Sequence, residues 1–143
     1  MDTTRKWMTS PAIVVPETLT LPEARQLFRR QRIRRLPVVN RAEQLVGIVT
    51  EGDIDRVSGS SHTDVRVYNL YHHIYDLPVR DIMTYPVVTV TPDTLISDVA
   101  QLLWERRIGG VPVVQDDRVV GMITASDLFR LVVALACAER THQ

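Results

Sequence analysis

Cysteine is nearly missing from this chain: Cys137 stands alone, so no internal disulfide can form. With no apolar signal core in the opening MDTTRKWM, the expected compartment is the cytoplasm. Long apolar runs are lacking too. The longest, LVVALACA at 131–138, falls far short of the ~20 residues a spanning helix needs, so no helical membrane segment is expected. Net charge is absent, with 17 basic against 17 acidic residues. No overall field draws the molecule to nucleic acid or an anionic membrane, and any phosphate binding must be local. A catalytic constellation is lacking as well. No Ser/His/Asp or Cys/His arrangement can be assembled, and Cys137 lies in apolar helical sequence that suggests packing. His72 and His73 are adjacent, so on a helix they point about 100° apart and do not share a metal. The expectation is a non-enzymatic protein without a metal site.

What the chain does have is the balance of an ordinary globular domain, 45% hydrophobic and 24% charged over 143 residues, enough for one real core or two small ones. It also has an internal repeat. WMTSPAIVV (7–15) matches IMTYPVVTV (82–90), and RIRRLPVVN (32–40) matches RIGGVPVVQ (107–115). GIVTEGD (47–53) returns as GMITASD (121–127), after a turn one residue shorter in the second copy. Equivalent repeats thus run from about 8 to 58 and 83 to 134, which divides the chain into unit 1 over 1–60, a linker over 61–78 and unit 2 over 79–143.

Each repeat reads in the same order. AIVV and VVTV are short β-branched runs ended by proline, as a strand and turn would be. Leu21, Ala24, Leu27 and Phe28, like Ile96, Val99, Leu102 and Leu103, follow the spacing of an amphipathic helix. LPVV with LVGIVT, and VPVV with VVGMIT, read as hairpins whose strands are apolar on both faces and so covered on both. A second helix opens at the threonine. The fold class is α/β (α+β), two β-α-β-β-α units, and neither at roughly 50 residues buries enough surface alone, so a pseudo-twofold pair is expected. In the linker, Tyr68, Tyr71 and Tyr75 form a helical stripe suited to packing.

Thr or Ser followed three residues later by an acid is the capping-box pattern. It occurs at Thr20/Glu23, Thr50/Asp53, Ser61/Asp64 and Thr124/Asp127. Thr50/Asp53 and Thr124/Asp127 stand apart, because each follows a glycine-bearing strand and they occupy equivalent places in the repeats. A helix start favours an anion, the hydroxyl can join it, and an aspartate one turn in can accept from two neighbouring hydroxyls. That division suits a ribose phosphate, while simple capping accounts for the same residues.

MTSPAIVV, IRRLPVVN and LVGIVTEGDI, repeated as MTYPVVTVTPDT, IGGVPVVQ and VVGMITASDL, resemble a tandem pair of cystathionine-β-synthase-type (CBS) domains across nearly the whole chain. The resemblance implies strand-mediated pairing of the units and adenosyl ligands in two clefts between them: AMP, ADP or ATP, less often S-adenosylmethionine or NAD. It also implies that Asp53 and Asp127 take ribose hydroxyls, that Thr50 and Thr124 face the phosphate, that Ile13 and Val88 flank the adenine, and that Pro37 and Pro112 shape the wall. Asp53 would then share its ligand with Val88, and Asp127 with Ile13.

The two sites should be unequal. Arg34 and Arg35 precede the first LPVV strand where Gly109 and Gly110 precede the second. Arginine forks suit phosphate oxygens, so their site should prefer more phosphates, whereas Gly110 offers room and backbone donors. A solvated face is the alternative for these arginines. Tyr85, standing where the first repeat has Ser10, could stack on a base or cap a strand edge. The patch from Arg25 to Arg35 holds six arginines and no acid and raises nucleic-acid binding as a further alternative. Its lone aromatic, Phe28, lies on the apolar helix face, which disfavours base stacking. The apolar face of the C-terminal helix, with Leu128, Leu131, Val132, Leu135 and Ala136, invites a second copy in a homodimer. The expected function is a regulatory sensor that reports nucleotide occupancy to a partner protein, with a ligand-independent dimerisation module as its rival.

Overall fold

A computed structural model of the protein describes residues 2–58 and 77–141. The tyrosine stripe, His72, His73 and the Ser61/Asp64 pattern fall outside the described residues.

Helix α1 (Thr4–Trp7) is followed by β1 (Val15–Pro16), α2 (Leu21–Gln31), β2 (Arg35–Val39), β3 (Leu45–Thr50) and α3 (Glu51–Ser58). A 3₁₀ turn at Val79–Asp81 then leads to α4 (Ile96–Arg106), β4 (Gly110–Gln115), β5 (Arg118–Thr124) and α5 (Ala125–Thr141). The β-α-β-β-α order appears in both repeats, with a shorter first strand than the β-branched runs suggest. β1 keeps only Val15 and Pro16, and its counterpart is a single parallel bridge, Val90 to Val113. Pro11 and Pro16 in one repeat and Pro86 and Pro92 in the other lack amide donors, which thins the ladder around Val15 and Val90.

The compact units do not follow the linear division. One comprises Ile13–Val87, and the other Met1–Ala12 with Val88–Gln143. The reason is local hydrogen bonding. Residues 77–84 lie on the first repeat: Leu21 N donates to Leu77 O (3.2 Å), Val79 N to Leu19 O (2.7 Å), and Thr84 exchanges both backbone bonds with Ile48 (2.9 and 3.0 Å). Residues 2–9 lie on the second in the same way. Ile96 N donates to Asp2 O (3.0 Å), Thr4 N to Thr94 O (2.9 Å), and Thr9 exchanges both bonds with Met122 (2.8 and 2.9 Å). Carbonyls of Leu77 and Asp2 thereby satisfy orphan amides at the starts of α2 and α4. Each repeat begins some residues earlier than positions 8 and 83. The buried positions Thr4 and Val79 mark that lead, which the sequence hides because a polar residue stands opposite an apolar one.

Each unit has its own core. Val15, Leu21, Ala24, Phe28, Leu36, Val38, Val49 and Ile54, with Val79, fill the first. Val90, Ile96, Val99, Leu103, Val111, Val113 and Ile123 fill the second. These are the inward positions of the amphipathic helices and all-apolar hairpins, and burying each large side chain contributes about 1.5–3 kcal/mol. Pro37 pairs with Ile48 and Pro112 with Met122 in the hairpin registers. Ile48 and Met122 accordingly turn their backbone groups away from the prolines, toward Thr84 and Thr9. The peptide bonds Ser10–Pro11 and Tyr85–Pro86 are both cis.

Gly47 and Gly121 stand where these edge segments cross the hairpins. A Cβ on Gly121 would come to 2.8 Å from the Thr9 carbonyl oxygen and 2.9 Å from Met8 Sδ; one on Gly47 would overlap the Met83 side chain. Close approach of Met-Thr to the strand is what requires glycine in GIVT and GMIT.

Candidate functional site

Each hairpin ends at a threonine that starts a helix, and there the two equivalent corners form. In the Ile13–Val87 unit, Thr50 N donates to Asp53 Oδ2 (2.8 Å) and Asp53 N donates to Thr50 Oγ1 (3.1 Å), a complete capping box. In the second unit, Thr124 N donates to Asp127 Oδ2 at 2.9 Å, while the Thr124 hydroxyl donates to the same oxygen at 3.2 Å. Both carboxylates are buried, Asp53 at 7% and Asp127 at 5% exposure. A buried carboxylate needs a counter-charge. Arg56 Nη2 supplies it on Asp53 Oδ1, and Arg130 Nη2 on Asp127 Oδ1 at 2.6 Å. Arg130 Nη2 also donates to the Trp7 carbonyl (3.3 Å), tying α5 to the N-terminal segment of the same unit.

These arginines escaped the sequence reading, although the signal is there. TEGDIDR and TASDLFR share Thr-x-x-Asp-x-x-Arg, and residues three apart on a helix are neighbours. The ordinary cap at Thr20/Glu23 is likewise a full capping box, starting α2, but it carries no arginine at the following turn and its glutamate is exposed.

The structure locates the remaining sequence candidates around these corners. Arg35 pairs with Thr50 across β2 and β3, and Gly110 with Thr124 across β4 and β5. The first amide of each helix is occupied: Glu51 N donates to Arg34 O (3.0 Å) and Ala125 N to Gly109 O (2.9 Å). A ligand anion is therefore left the later first-turn amides, of which Asp53 N already donates to Thr50 Oγ1. Among the described residues, neither Arg34 nor Arg35 has a side-chain hydrogen bond or ion pair. Burial, and then the adjacent Arg34 charge, hold the Arg35 guanidinium below its ordinary pKa. Pro37 and Pro112 are buried, and Ile13 and Val88 are half-buried against the core of their own units. Tyr85 is 70% exposed, whereas its counterpart Ser10 donates to Val120 O at 2.8 Å. Of the basic patch, Arg25 is engaged with Ser58 (3.1 Å) and Asp55 (3.6 Å); Arg29 and Arg30 are exposed.

Chemically, each corner offers a buried acceptor paired with an exposed cation, a hydroxyl, and backbone donors at a helix start. No group of three or more His, Cys, Asp or Glu side chains is placed to hold a metal among the described residues, and none of their helices is long and apolar enough to cross a membrane.

Known proteins share this architecture. The CBS domain family profile matches residues 5–60 and 79–134. The CBS domain pair of protein MJ0100, solved in complex with 5′-methylthioadenosine and S-adenosyl-L-methionine, is 29% identical. It superposes with a TM-score of 0.76, covering 94% of this chain and 98% of that one. CBSX2 from Arabidopsis thaliana, solved in complex with AMP, is 25% identical with a TM-score of 0.79, covering 95% of this chain and 99% of that chain. Among curated proteins, the A-adding tRNA nucleotidyltransferase of Geobacter sulfurreducens is 30% identical over 123 residues; these make up 86% of this chain but only 12% of that enzyme. The duplicated hairpin-and-helix units and the family match over both of them lead to one assignment: the chain belongs to the CBS domain family.

Proposed function

We propose that the protein is a non-enzymatic regulatory module that binds adenosyl ligands, AMP, ADP or ATP foremost, at its two Thr-x-x-Asp corners. The observation that carries this reading is the pair of buried carboxylates, each beside a threonine at a helix start. Complexes of similar proteins with AMP and with S-adenosyl-L-methionine support it. Asp53 and Asp127 accept ribose hydroxyls, and Thr50 and Thr124 face the phosphate. Ile13 and Val88 flank the adenine, Pro37 and Pro112 form the wall, and Tyr85 offers an exposed ring for the base. Arg34 and Arg35 hold further phosphates at the first corner, where Gly110 leaves the second open. A bound ligand favours whichever conformation it binds better, and a partner protein reads that bias.

A second copy covers the outer face of α5, where Phe129, Val132, Val133 and Leu135 are all exposed. If association were the whole function, dimerisation would be indifferent to nucleotides. Calorimetry and thermal-shift measurements with AMP, ADP, ATP, NAD and S-adenosylmethionine test the reading. Saturable binding with a raised melting temperature supports it, and no binding at millimolar ligand overturns it.

A further inference from the structure

Both candidate carboxylates are already half occupied by the chain itself. Oδ2 of each accepts from a threonine amide, and Oδ1 carries the guanidinium of Arg56 or Arg130. The members of each pair differ in their surroundings. The Asp53 and Asp127 side chains are 8% and 7% accessible, while those of Arg56 and Arg130 are 73% and 62% accessible. A hydroxyl pair approaching from solvent therefore competes with an exposed arginine for Oδ1.

That exchange has a sign. An arginine–carboxylate hydrogen bond is charge-assisted and roughly twice as strong as one between neutral groups. Substituting neutral hydroxyls for the guanidinium loses that assistance and releases a cation from a buried negative charge. The balance changes when the incoming molecule carries its own anion, because the displaced guanidinium, on a flexible and exposed arm, can take phosphate oxygens bidentately. The same arrangement stands in both repeats, which share Thr-x-x-Asp-x-x-Arg while the residues between differ.

We infer that Arg56 and Arg130 set the class of ligand at these corners: each guards the carboxylate against uncharged nucleosides and yields it to nucleosides that carry a phosphate. This rests on reading Asp53 and Asp127 as sugar-binding, and it makes the arginines specificity-determining residues.

The test compares AMP with adenosine, which differ only by the phosphate, in calorimetric titrations of the full chain. Wild type should bind AMP at least about tenfold tighter. In Arg56→Gln with Arg130→Gln, adenosine should bind more tightly and AMP more weakly, so that their ratio falls by about tenfold. The exposed pair Arg30→Gln with Arg106→Gln, equal in charge change, should keep the wild-type ratio. A measurement on the unaltered protein guards against misfolding of the double variant. Raising salt from ~50 mM to ~500 mM screens the ion pairs, and should weaken AMP while sparing or strengthening adenosine. If both ligands bind and their ratio moves neither with the substitutions nor with salt, the arginine inference is overturned and the site reading stands. If neither ligand binds wild type at millimolar concentration, both fall together.

Discussion

The two corners are built from the same skeleton and differ in what holds them. At Thr50 the hydroxyl accepts from Asp53 N, closing a reciprocal cap, whereas the Thr124 hydroxyl donates to its aspartate instead. Arg56 serves Asp53 alone among the described residues; Arg130 divides itself between Asp127 and the Trp7 carbonyl. Around the first corner stand Arg34 and Arg35, around the second Gly109 and Gly110. The repeats thus share the threonine, the buried aspartate and its arginine, and differ in the charge of the two residues before the hairpin. The lesson is that the repeat defines the corner and its departures define the charge that surrounds it.

The largest effect should come from equivalent core positions filled by different side chains. Phe28 and Leu103 are both buried, at 4% and 5% exposure. Phe28→Ala should lower stability by about 3–5 kcal/mol and Leu103→Ala by about 2–5 kcal/mol, read by urea denaturation. Phe28→Leu, which gives the first core the side chain found at the equivalent position of the second, should cost less.

Next comes the glycine pair. Gly121→Ala forces a methyl against the Thr9 carbonyl, which accepts from Met122 N while the Thr9 amide donates to Met122 O; about 1–3 kcal/mol should be lost. Gly47→Ala meets a methionine side chain instead, and since methionine repacks readily its loss should be smaller. Equal losses in thermal melts would show that the Met83 side chain is held as firmly as backbone.

Asp53→Asn and Asp127→Asn should each cost about 0.5–2 kcal/mol through the weakened cap. Under the binding reading each also removes one of two sites, seen as a halved stoichiometry by calorimetry; under capping alone the melting temperature shifts and nucleotide titrations stay flat. The smallest effect belongs to Arg34→Gln. Relieving repulsion with Arg35 should change apo stability by no more than about 0.5 kcal/mol. It should nevertheless weaken ATP more than AMP at the Asp53 corner and leave the Asp127 corner alone.

Most of the fold was legible because periodicity and burial agree: the helix positions Leu21, Ala24 and Phe28, and the hairpin positions Leu36, Val38 and Val49, are the ones that form the core. The Thr-x-x-Asp corners could be read for the same reason that repeats can. The packing of the Met-Thr segments could not. Met8-Thr9 and Met83-Thr84 are identical pairs, and Gly47 and Gly121 are equally able to receive either, so composition holds nothing to say which segment lies on which hairpin. The early start of each repeat was masked because Thr4 stands opposite Val79; the threonine is tolerated in a core because its hydroxyl donates to Thr94 O at 2.8 Å. Arg56 and Arg130 were visible and passed over, since a lone arginine on a helix reads as a solvated surface residue until its carboxylate is known to be buried.

The docking of residues 2–12 onto the second repeat also sets an order of events during synthesis. Ser10 and its acceptor Val120 are 110 residues apart, which at ribosomal speed is a delay of roughly 5–20 s. Throughout that interval Trp7 and Met8, which pack on the second core, have emerged without the strand that covers them, while the residues needed for the Ile13–Val87 unit are already arriving. The Ile13–Val87 unit is therefore complete in sequence before residues 2–12 have the hairpin that covers them, which leaves Trp7 and Met8 among the last side chains to be sheltered.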